Sequence, residues 1–340
     1  MSYNDPFVST PRQSATAQTM LHLRPLPLGE LLDRAFHIYF RHVAAFTGLV
    51  AVVLIPTAIA QYFQTKDIFD VYLSMIQQAM HSPATPPDPS KLARLHVADS
   101  WTFIALAIVF LGFPLSNAAV VLGVTRAYLG LPVRFAECYR MALKRWFRMI
   151  ILLFVWIAVV VVGLFALVLV MGALSAVIVA AGAFLRGTSA AAVLLAVFLV
   201  VVGIVTIGVM AMLYLAFALS FIALVVEKSD PIKAFASAFS RIFGGKQAKR
   251  AFALAITLIL VNFAAQLLGA GSGMLLAYYG KSPALYVILA SLAQMFFYPF
   301  AIVAVSVFYY DIRIRREGFD LQILMQRLTE SPAQLPPVAT

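Results

Sequence analysis

The sequence predicts an all-α protein, a polytopic bundle of about six transmembrane helices that carries three amphipathic helices on one surface. The first observation is the stretch 149–226, in which Arg186 is the only charged residue. An apolar run of about 18 residues is already long enough to span a membrane. The second observation is composition: 63% of the residues are hydrophobic and 11% are charged, against about 25% charged in soluble domains. Both observations indicate an integral membrane protein.

The N-terminal third predicts a polar tail, one surface helix and two spans. Residues 1–27 are rich in Ser, Thr, Gln and Pro, so we expect a disordered tail, because a cleavable signal peptide needs an apolar core. Apolar residues recur along one face of 28–42 and charged residues fill the other, which is typical of a helix lying on a membrane surface. We expect spans at 43–63 and 101–125, separated by an extracytoplasmic polar loop, 64–100, that contains a short helical piece.

The central apolar stretch predicts two long helices. Its one convincing turn lies at 185–189, so each half has about 35 residues, or roughly 52 Å of helix against a hydrocarbon core of about 30 Å. We prefer two overlong helices that project beyond the bilayer on the outer side, while four short spans remain the alternative. Kinks are expected near Gly172 and Gly203, and the spacing of Gly172, Ala176 and Ala180 predicts close helix contact.

The C-terminal third predicts two more spans and a tail. The fifth span is expected at 251–268, where the glycines of 269–273 break the helix. The sixth span is expected at 284–308. We therefore divide the chain into a membrane domain, residues 28–310, and a charged cytoplasmic tail, residues 311–340, that holds a short helix.

Three segments share one plan, in which a surface helix that ends in basic residues is followed by two spans. These segments begin near Leu28, Val133 and Pro231, and we interpret them as a threefold repeat. The alternative is that any cytoplasmic loop of a membrane protein becomes basic and amphipathic. Twenty of the 25 Lys and Arg residues lie in the N-terminal region, the two basic loops and the tail. By the positive-inside rule, both termini are predicted to be cytoplasmic in a multi-pass protein of the cell (inner) membrane.

Three stretches carry a family resemblance. The segment 28–36 (Leu-Gly-Glu-Leu-Leu-Asp-Arg-Ala-Phe), the segment 227–243 with its Pro-x-x-Ala-Phe core, and the segment 309–320 resemble the bacterial family named for the membrane domain of glycerophosphoryl diester phosphodiesterases. The resemblance implies a six-helix membrane module, usually without an activity of its own. In such fusions the chemistry resides in a separate barrel with a His-Arg-Gly start and Glu-x-Asp metal ligands. Neither pattern occurs in this sequence, so the enzymatic name does not carry over.

The tail motif that follows the last span mixes acidic and basic residues. It could dock a partner or clamp the surface helices through salt bridges, whereas an ordinary stop-transfer flank needs positive charge alone. Basic residues on the surface helices are candidates for contact with anionic lipid head groups. The candidate interaction and lipid surface comprises Arg34, Arg41, Arg140, Lys144, Arg145, Arg148, Arg241, Asp311, Arg313, Arg315, Arg316, Glu317 and Asp320.

No constellation of catalytic residues appears, and we expect no cofactor and no enzyme activity. The basic residues flank apolar spans, so nucleic-acid binding is not expected. His96 and Asp99 have a ligand spacing, but solvated loop residues account for them better than a metal site. The in-span amides, attributed to interhelical hydrogen bonding, are Gln61, Asn117, Asn262, Gln266 and Gln294.

The composition and the charge pattern favour a non-catalytic membrane module. Such a module would anchor or organise protein partners through its cytoplasmic surface helices and tail. The alternative is a lipid or small-solute transporter with a cavity between the overlong helices. Ion-coupled carriers usually keep ionisable groups inside the membrane, and the predicted spans have none. A membrane-embedded enzyme is the third reading.

Overall fold

The structure is a computed structural model that describes residues 27–81, 100–128, 130–184, 188–227, 229–243 and 247–317. These residues form ten α-helices and one π-helical segment, with no strand among them, so the predicted all-α fold is confirmed. The helices are α1 Leu28–Arg41, α2 Val43–His81, α3 Ser100–Tyr128, α4 Phe135–Leu143, α5 Trp146–Phe184, α6 Thr188–Glu227, α7 Pro231–Phe243, α8 Ala248–Gln266, α9 Ser272–Gly280 and α10 Pro283–Glu317, and the π-helical segment Leu267–Gly271 joins α8 to α9.

Six helical stretches are long and apolar enough to cross a membrane. Five of them are contributed by α2, α3, α5, α6 and α10, and the sixth runs from α8 through the π-helical segment to α9. The short helices α1, α4 and α7 each precede two of these spans. The predicted order of surface helix, span and span is therefore present three times.

The surface helices α4 and α7 pack on the bundle through a narrow face of mostly small residues, whereas α1 buries Leu31 and Tyr39 beside Ala35. Cys138 and Ala142 are fully buried on α4, as are Ala234 and Ala238 on α7. Larger side chains would hold these helices farther from the spans beneath them, because interiors are close-packed. Helix α7 begins at Pro231, and the backbone N–H of Ala234 donates to the carbonyl of Asp230 at 2.8 Å in its first turn.

The predicted loop at 64–100 is helical in its first half, where the predicted helical piece is present as part of a longer helix. Helix α2 continues without a break to His81, because no glycine or proline stands between Gln64 and His81 to end it. The amide of Gln64 donates to Thr102 Oγ1 at 2.8 Å, which fastens α2 to α3. Residues 82–99, which include His96 and Asp99, lie outside the described residues.

The central stretch forms two overlong helices, so the alternative of four short spans is excluded. Helices α5 and α6 have 39 and 40 residues and run uninterrupted through Gly172 and Gly203. The predicted close contact at Gly172 is wrong, since a Cβ atom added there would meet nothing within 4 Å. Only 6% of the best apolar window in each of these spans is buried. Most of this apolar surface therefore faces away from the protein.

The glycines of 269–273 do not break the fifth span. The helix passes through them as a π-helical segment and continues to Gly280. A Cβ atom at Gly269 would lie 2.3 Å from the Cβ of Ala293, and one at Gly273 would lie 3.0 Å from the carbonyl oxygen of Tyr286. These two glycines therefore allow the fifth and sixth spans to approach closely.

Helix α10 does not end at the predicted domain boundary after residue 310. It continues to Glu317 and has 35 residues, or roughly 52 Å of helix, which exceeds the about 30 Å of the hydrocarbon core. Every residue from Val303 to Ile312 is buried. A helix covered on all sides lies inside its fold, so the start of the predicted tail belongs to the core. The predicted tails 1–26 and 318–340 lie outside the described residues.

Candidate functional site

The C-terminal end of α10 lies at the centre of a charged cluster, which we call the charge ring. The ring consists of Glu227, Arg241, Arg250, Asp311, Arg313, Arg315 and Arg316. It joins the ends of α6 and α10 to α7 and to the start of α8. The end of the bundle that carries this ring together with α1, α4 and α7 is called the basic face below.

Asp311 is the buried acid of the charge ring, with a side chain that is 1% exposed. Its Oδ2 atom lies 2.9 Å from Nη1 of Arg250 and 3.0 Å from Nε of Arg315. A buried carboxylate loses its hydration and is tolerated only when charged or hydrogen-bonding partners replace the water. The two guanidinium groups supply that replacement and tie α8 to α10.

Glu227 is the second acid of the ring and closes α6. Its Oε1 atom lies 2.7 Å from Nη2 of Arg241 and 3.9 Å from Nε of Arg313. The hydroxyl of Tyr309 donates to the same oxygen atom. The guanidinium carbons of Arg241 and Arg313 lie 5.5 and 5.9 Å from the centroid of the Tyr309 ring, within the range of cation–π contacts. One carboxylate therefore holds α6, α7 and α10 together.

Tyr310 connects the charge ring to α1 and α3. Its hydroxyl lies 2.9 Å from Oγ1 of Thr125, and its ring stacks on Tyr128 at a centroid distance of 4.9 Å. Arg34 of α1 lies over the aromatic ring of Tyr128, with its guanidinium carbon 5.5 Å from the ring centroid. Stacking and cation–π contacts are each worth about 0.5–1.5 kcal/mol, so they fix α1 against the bundle.

Two further arginines of the predicted surface cap backbone carbonyls. Arg316 donates from Nη1 to the carbonyl of Ser240 in α7 at 2.7 Å. Arg145 donates from Nη1 to the carbonyl of Val225 near the end of α6. Burial of Arg145, and after it the charge of Arg148, lowers the pKa of the Arg145 guanidinium. Both side chains therefore bind another helix of the bundle.

A different set of predicted residues stays on the surface. Arg140, Lys144 and Arg148 of the α4 region are exposed, and none of the three forms an ion pair with the described residues. Large apolar side chains accompany them, with Leu143 58% and Phe147 72% exposed. Arg41 is exposed at the end of α1. The side chain of Glu317 and all of Asp320 lie outside what the structure describes.

Helix α4 is anchored beside these free cations by Glu137. The carboxylate lies 2.6 Å from Nη1 of Arg126 and 3.0 Å from Nη1 of Arg134. A hydrogen bond from Arg134 and the charge of Arg126 hold the pKa of Glu137 below its ordinary value. Burial raises the pKa of the neighbouring Cys138 thiol, so this cysteine is a packing residue with low nucleophilicity.

Sequence reasoning missed two members of the charge ring, Glu227 and Arg250, and the residue Tyr309 that contacts Glu227. Glu227 could have been suspected, because it is the first charge after the long apolar stretch. The pairing of Arg250 with an acid 61 positions away leaves no local pattern. Among the described residues, no group of three or more His, Cys, Asp or Glu side chains could hold a metal ion.

The basic face holds a network of ion pairs that joins several helices. Glu227 and Asp311 hold helices together, and the exposed cations of the α4 region lie beside exposed apolar side chains. Comparison with protein-family models, curated proteins and solved structures finds no match. The architecture therefore stands as the description of the chain, which is a multi-span helical membrane protein.

Proposed function

We propose that the protein is a non-catalytic membrane module that binds anionic lipid head groups and anchors a protein partner at the cytoplasmic face. The observation that carries this proposal is the surface of α4. Its cations Arg140 and Lys144 and the following Arg148 lie beside exposed Leu143 and Phe147. Apolar side chains that enter the interface and cations that meet anionic head groups are the two components of an interfacial helix.

The proposed orientation places the basic face and both termini in the cytoplasm. Twenty of the 25 Lys and Arg residues fall in the segments at this end or in the two terminal segments. An excess of Lys and Arg in short loops marks the cytoplasmic side. The cytoplasmic leaflet also carries the anionic lipids that these cations would bind.

The charge ring supports the proposal indirectly, because it makes the basic face rigid. Glu227 and Asp311 connect α7 to the ends of α6, α8 and α10, and Tyr310 connects α3 to the same core. A preorganised surface binds with a smaller loss of conformational freedom than a mobile one. The resemblance of 28–36 and 309–320 to the family of phosphodiesterase membrane domains is compatible with such a module, and we propose membership of that family.

The test uses the full-length protein in nanodiscs. The triple variant Arg140→Gln, Lys144→Gln and Arg148→Gln removes three exposed cations, each worth about 1 kcal/mol near an anionic surface. The preference for spin-labelled phosphatidylglycerol over spin-labelled phosphatidylcholine, measured by EPR, should fall at least several-fold. Lys281→Gln removes an exposed charge from the turn that leads into α10, and this control should leave the preference unchanged. An equal preference in the triple variant and the parent would contradict the proposal.

A further inference from the structure

A cavity with a partly polar lining lies between α2, α3, α8 and α10, and it opens at the bundle surface, where Asn262 and Gln266 are exposed. Its volume is about 150 Å³, well above the about 15 Å³ that one water molecule needs. Three side-chain amides line it, those of Asn262, Gln266 and Gln294. Aromatic rings of Phe113, Phe297 and Tyr298 and the aliphatic side chains of Leu54 and Ala265 complete the wall.

The three amides lack partners in the protein. Among the described residues, none donates a hydrogen bond to the side chains of Asn262, Gln266 or Gln294 or accepts one from them. Asn262 lies near the middle of the span Ala248–Gly280, where no bulk water is available. Leaving an amide unpaired in an apolar medium costs on the order of 2–7 kcal/mol. A group that supplies hydrogen bonds to these amides would remove this cost.

A second, mostly apolar cavity adjoins the first at Tyr298. It has a volume of about 130 Å³ and lies between α3, α6 and α10, where Asn117 and Tyr214 contribute its polar groups. Tyr298 lines both cavities, and its hydroxyl donates to Oδ1 of Asn117 at 2.8 Å. This hydrogen bond stands at the boundary between the two spaces.

The backbone beside the first cavity is irregular. The π-helical segment Leu267–Gly271 begins immediately after Gln266. Single π-helical turns inside α-helices are rare and occur frequently at functional sites. The extra residue in this turn changes the angular register of α8 relative to α9, and the amides of Asn262 and Gln266 line the cavity just before that change.

We propose that this cavity binds a small uncharged group that carries hydroxyl or carbonyl oxygens. Asn262, Gln266 and Gln294 can each donate and accept hydrogen bonds, which matches hydroxyl and carbonyl groups. No Asp, Glu, Lys, Arg or His lines either cavity, so an ionic ligand would enter the membrane without a counter-charge, at high cost. The same chemistry occurs in a free polyol and in the head group of an uncharged lipid such as diacylglycerol.

The proposal differs from a transporter built around the two overlong helices. The first cavity is lined by neither α5 nor α6, and the second is lined by α6 but not by α5. The site lies instead among the spans that the two glycines Gly269 and Gly273 bring together, and it is separate from the lipid contacts of α4. Removal of the α4 cations should therefore leave this site unchanged.

The experiment has two arms, both with the full-length protein in nanodiscs. In the first, glycerol is the free probe, and its contact with the protein is measured by saturation-transfer NMR. In the second, a diacylglycerol with a photoreactive acyl chain is crosslinked, and the modified residues are mapped by mass spectrometry. The variants Gln266→Met and Gln294→Met remove one amide each at nearly constant shape. Gln61→Met is the matched control, because Gln61 is an amide in the span Val43–Lys66 that does not line the cavity.

We expect one probe to bind the parent and the Gln61 variant equally and to lose at least tenfold in signal in both cavity variants. Loss of the glycerol signal identifies a free polyol, and loss of the diacylglycerol crosslink near 262–266 or 294–298 identifies a lipid. The cavity variants should unfold at or above the temperature of the parent, because the amides that they lose have no protein partner. Binding of each probe that is equal in all variants would overturn the proposal. A phosphatidylglycerol probe that crosslinks to the cavity as strongly as the diacylglycerol probe would also overturn it.

Discussion

The carboxylate of Asp311 lies 2.9 Å from the guanidinium of Arg250, although the two residues are 61 positions apart in the chain. The acid is 1% exposed, and the base is 22% exposed. This pair joins the first turn of α8 to a part of α10 that is buried on every side. It shows that the charges after the last span are a structural element of the bundle.

Replacing Asp311 by Asn should therefore destabilise the protein strongly. The amide cannot neutralise Arg250 and Arg315, and breaking a buried ion pair typically costs about 3–5 kcal/mol. The measurement is thermal or SDS-induced unfolding in detergent. Asp33→Asn, at an exposed position of α1, is the control and should change stability by less than about 0.5 kcal/mol. Equal stability of both variants would show that the charges around Asp311 only set the topology and do not stabilise the bundle.

The salt dependence of that loss is a second expectation for the same variant. Exposed ion pairs are screened at a Debye length of about 8 Å at physiological ionic strength, whereas buried pairs are screened much less. The difference in unfolding temperature between Asp311→Asn and the parent should therefore persist when the NaCl concentration is raised. A difference that disappears at high salt would place Asp311 in a solvated environment.

Gly269→Ala should destabilise the contact between the fifth and sixth spans. The added methyl group would lie 2.3 Å from the Cβ of Ala293, and overpacking typically costs about 1–3 kcal/mol. Gly271→Ala is the matched control in the same π-helical segment, because a Cβ atom there meets nothing within 4 Å. The control should be neutral or slightly stabilising, since Ala favours helix by about 1 kcal/mol over Gly. Unfolding temperatures that fall equally in both variants would disprove close packing at Gly269.

The proposed orientation predicts which residues react from outside the cell. Single cysteines introduced into a Cys138→Ser background at Pro87 and Lys281 should react with an impermeant maleimide in intact cells. Cysteines at Ser240 and Gln334 should react only after the membrane is permeabilised, because the positive-inside rule places both in the cytoplasm. Labelling of the Ser240 position in intact cells would reverse the orientation.

Cys138 should be nearly inert in the folded protein. Its side chain is fully buried, and burial raises the pKa of its thiol, so the reactive thiolate is scarcer than in a free cysteine at the same pH. The rate of alkylation by iodoacetamide should be low at pH 8 and should increase as the pH passes through the raised pKa. A cysteine at the exposed position Ser240, in the Cys138→Ser background, provides the reference rate. Alkylation of both at the same rate in the native protein would contradict the burial of Cys138.

The fold could be predicted because each span can be recognised from its own local sequence. Apolar length identifies a span, and the pair Asp230 and Pro231 marks a helix start, without knowledge of any distant residue. The predictions failed where the outcome depends on a partner. Gly172 and Gly269 each precede an alanine in an apolar span, yet of the two only Gly269 faces a neighbouring helix, at Ala293.

The candidate site was predictable only as a set of charges. Arg145 and Arg148 look equivalent on the α4 segment, but Arg145 turns inward to the carbonyl of Val225 and Arg148 is exposed. The difference depends on where the end of α6 lies relative to Arg145, and the periodicity of the sequence does not reveal that position. The acidic partners Glu227 and Asp311 were visible in the sequence, but their pairing with Arg241 and Arg250 is a property of the assembled bundle.

The length of the central helical hairpin makes the protein sensitive to membrane thickness. The apolar spans Trp146–Val177 and Ala196–Glu227 have 32 residues each, or roughly 48 Å of helix. Fitting this length into a core of about 30 Å by tilting alone would need roughly 50°, beyond the about 40° seen for transmembrane helices. The remainder projects beyond the hydrocarbon core or is covered by a locally thickened bilayer, and the cost of covering it is lower in long-chain lipids. We therefore expect the unfolding temperature to rise with acyl-chain length in reconstituted vesicles, and a temperature independent of chain length would contradict this. We expect a protein with this property to sort into the thickest regions of its membrane.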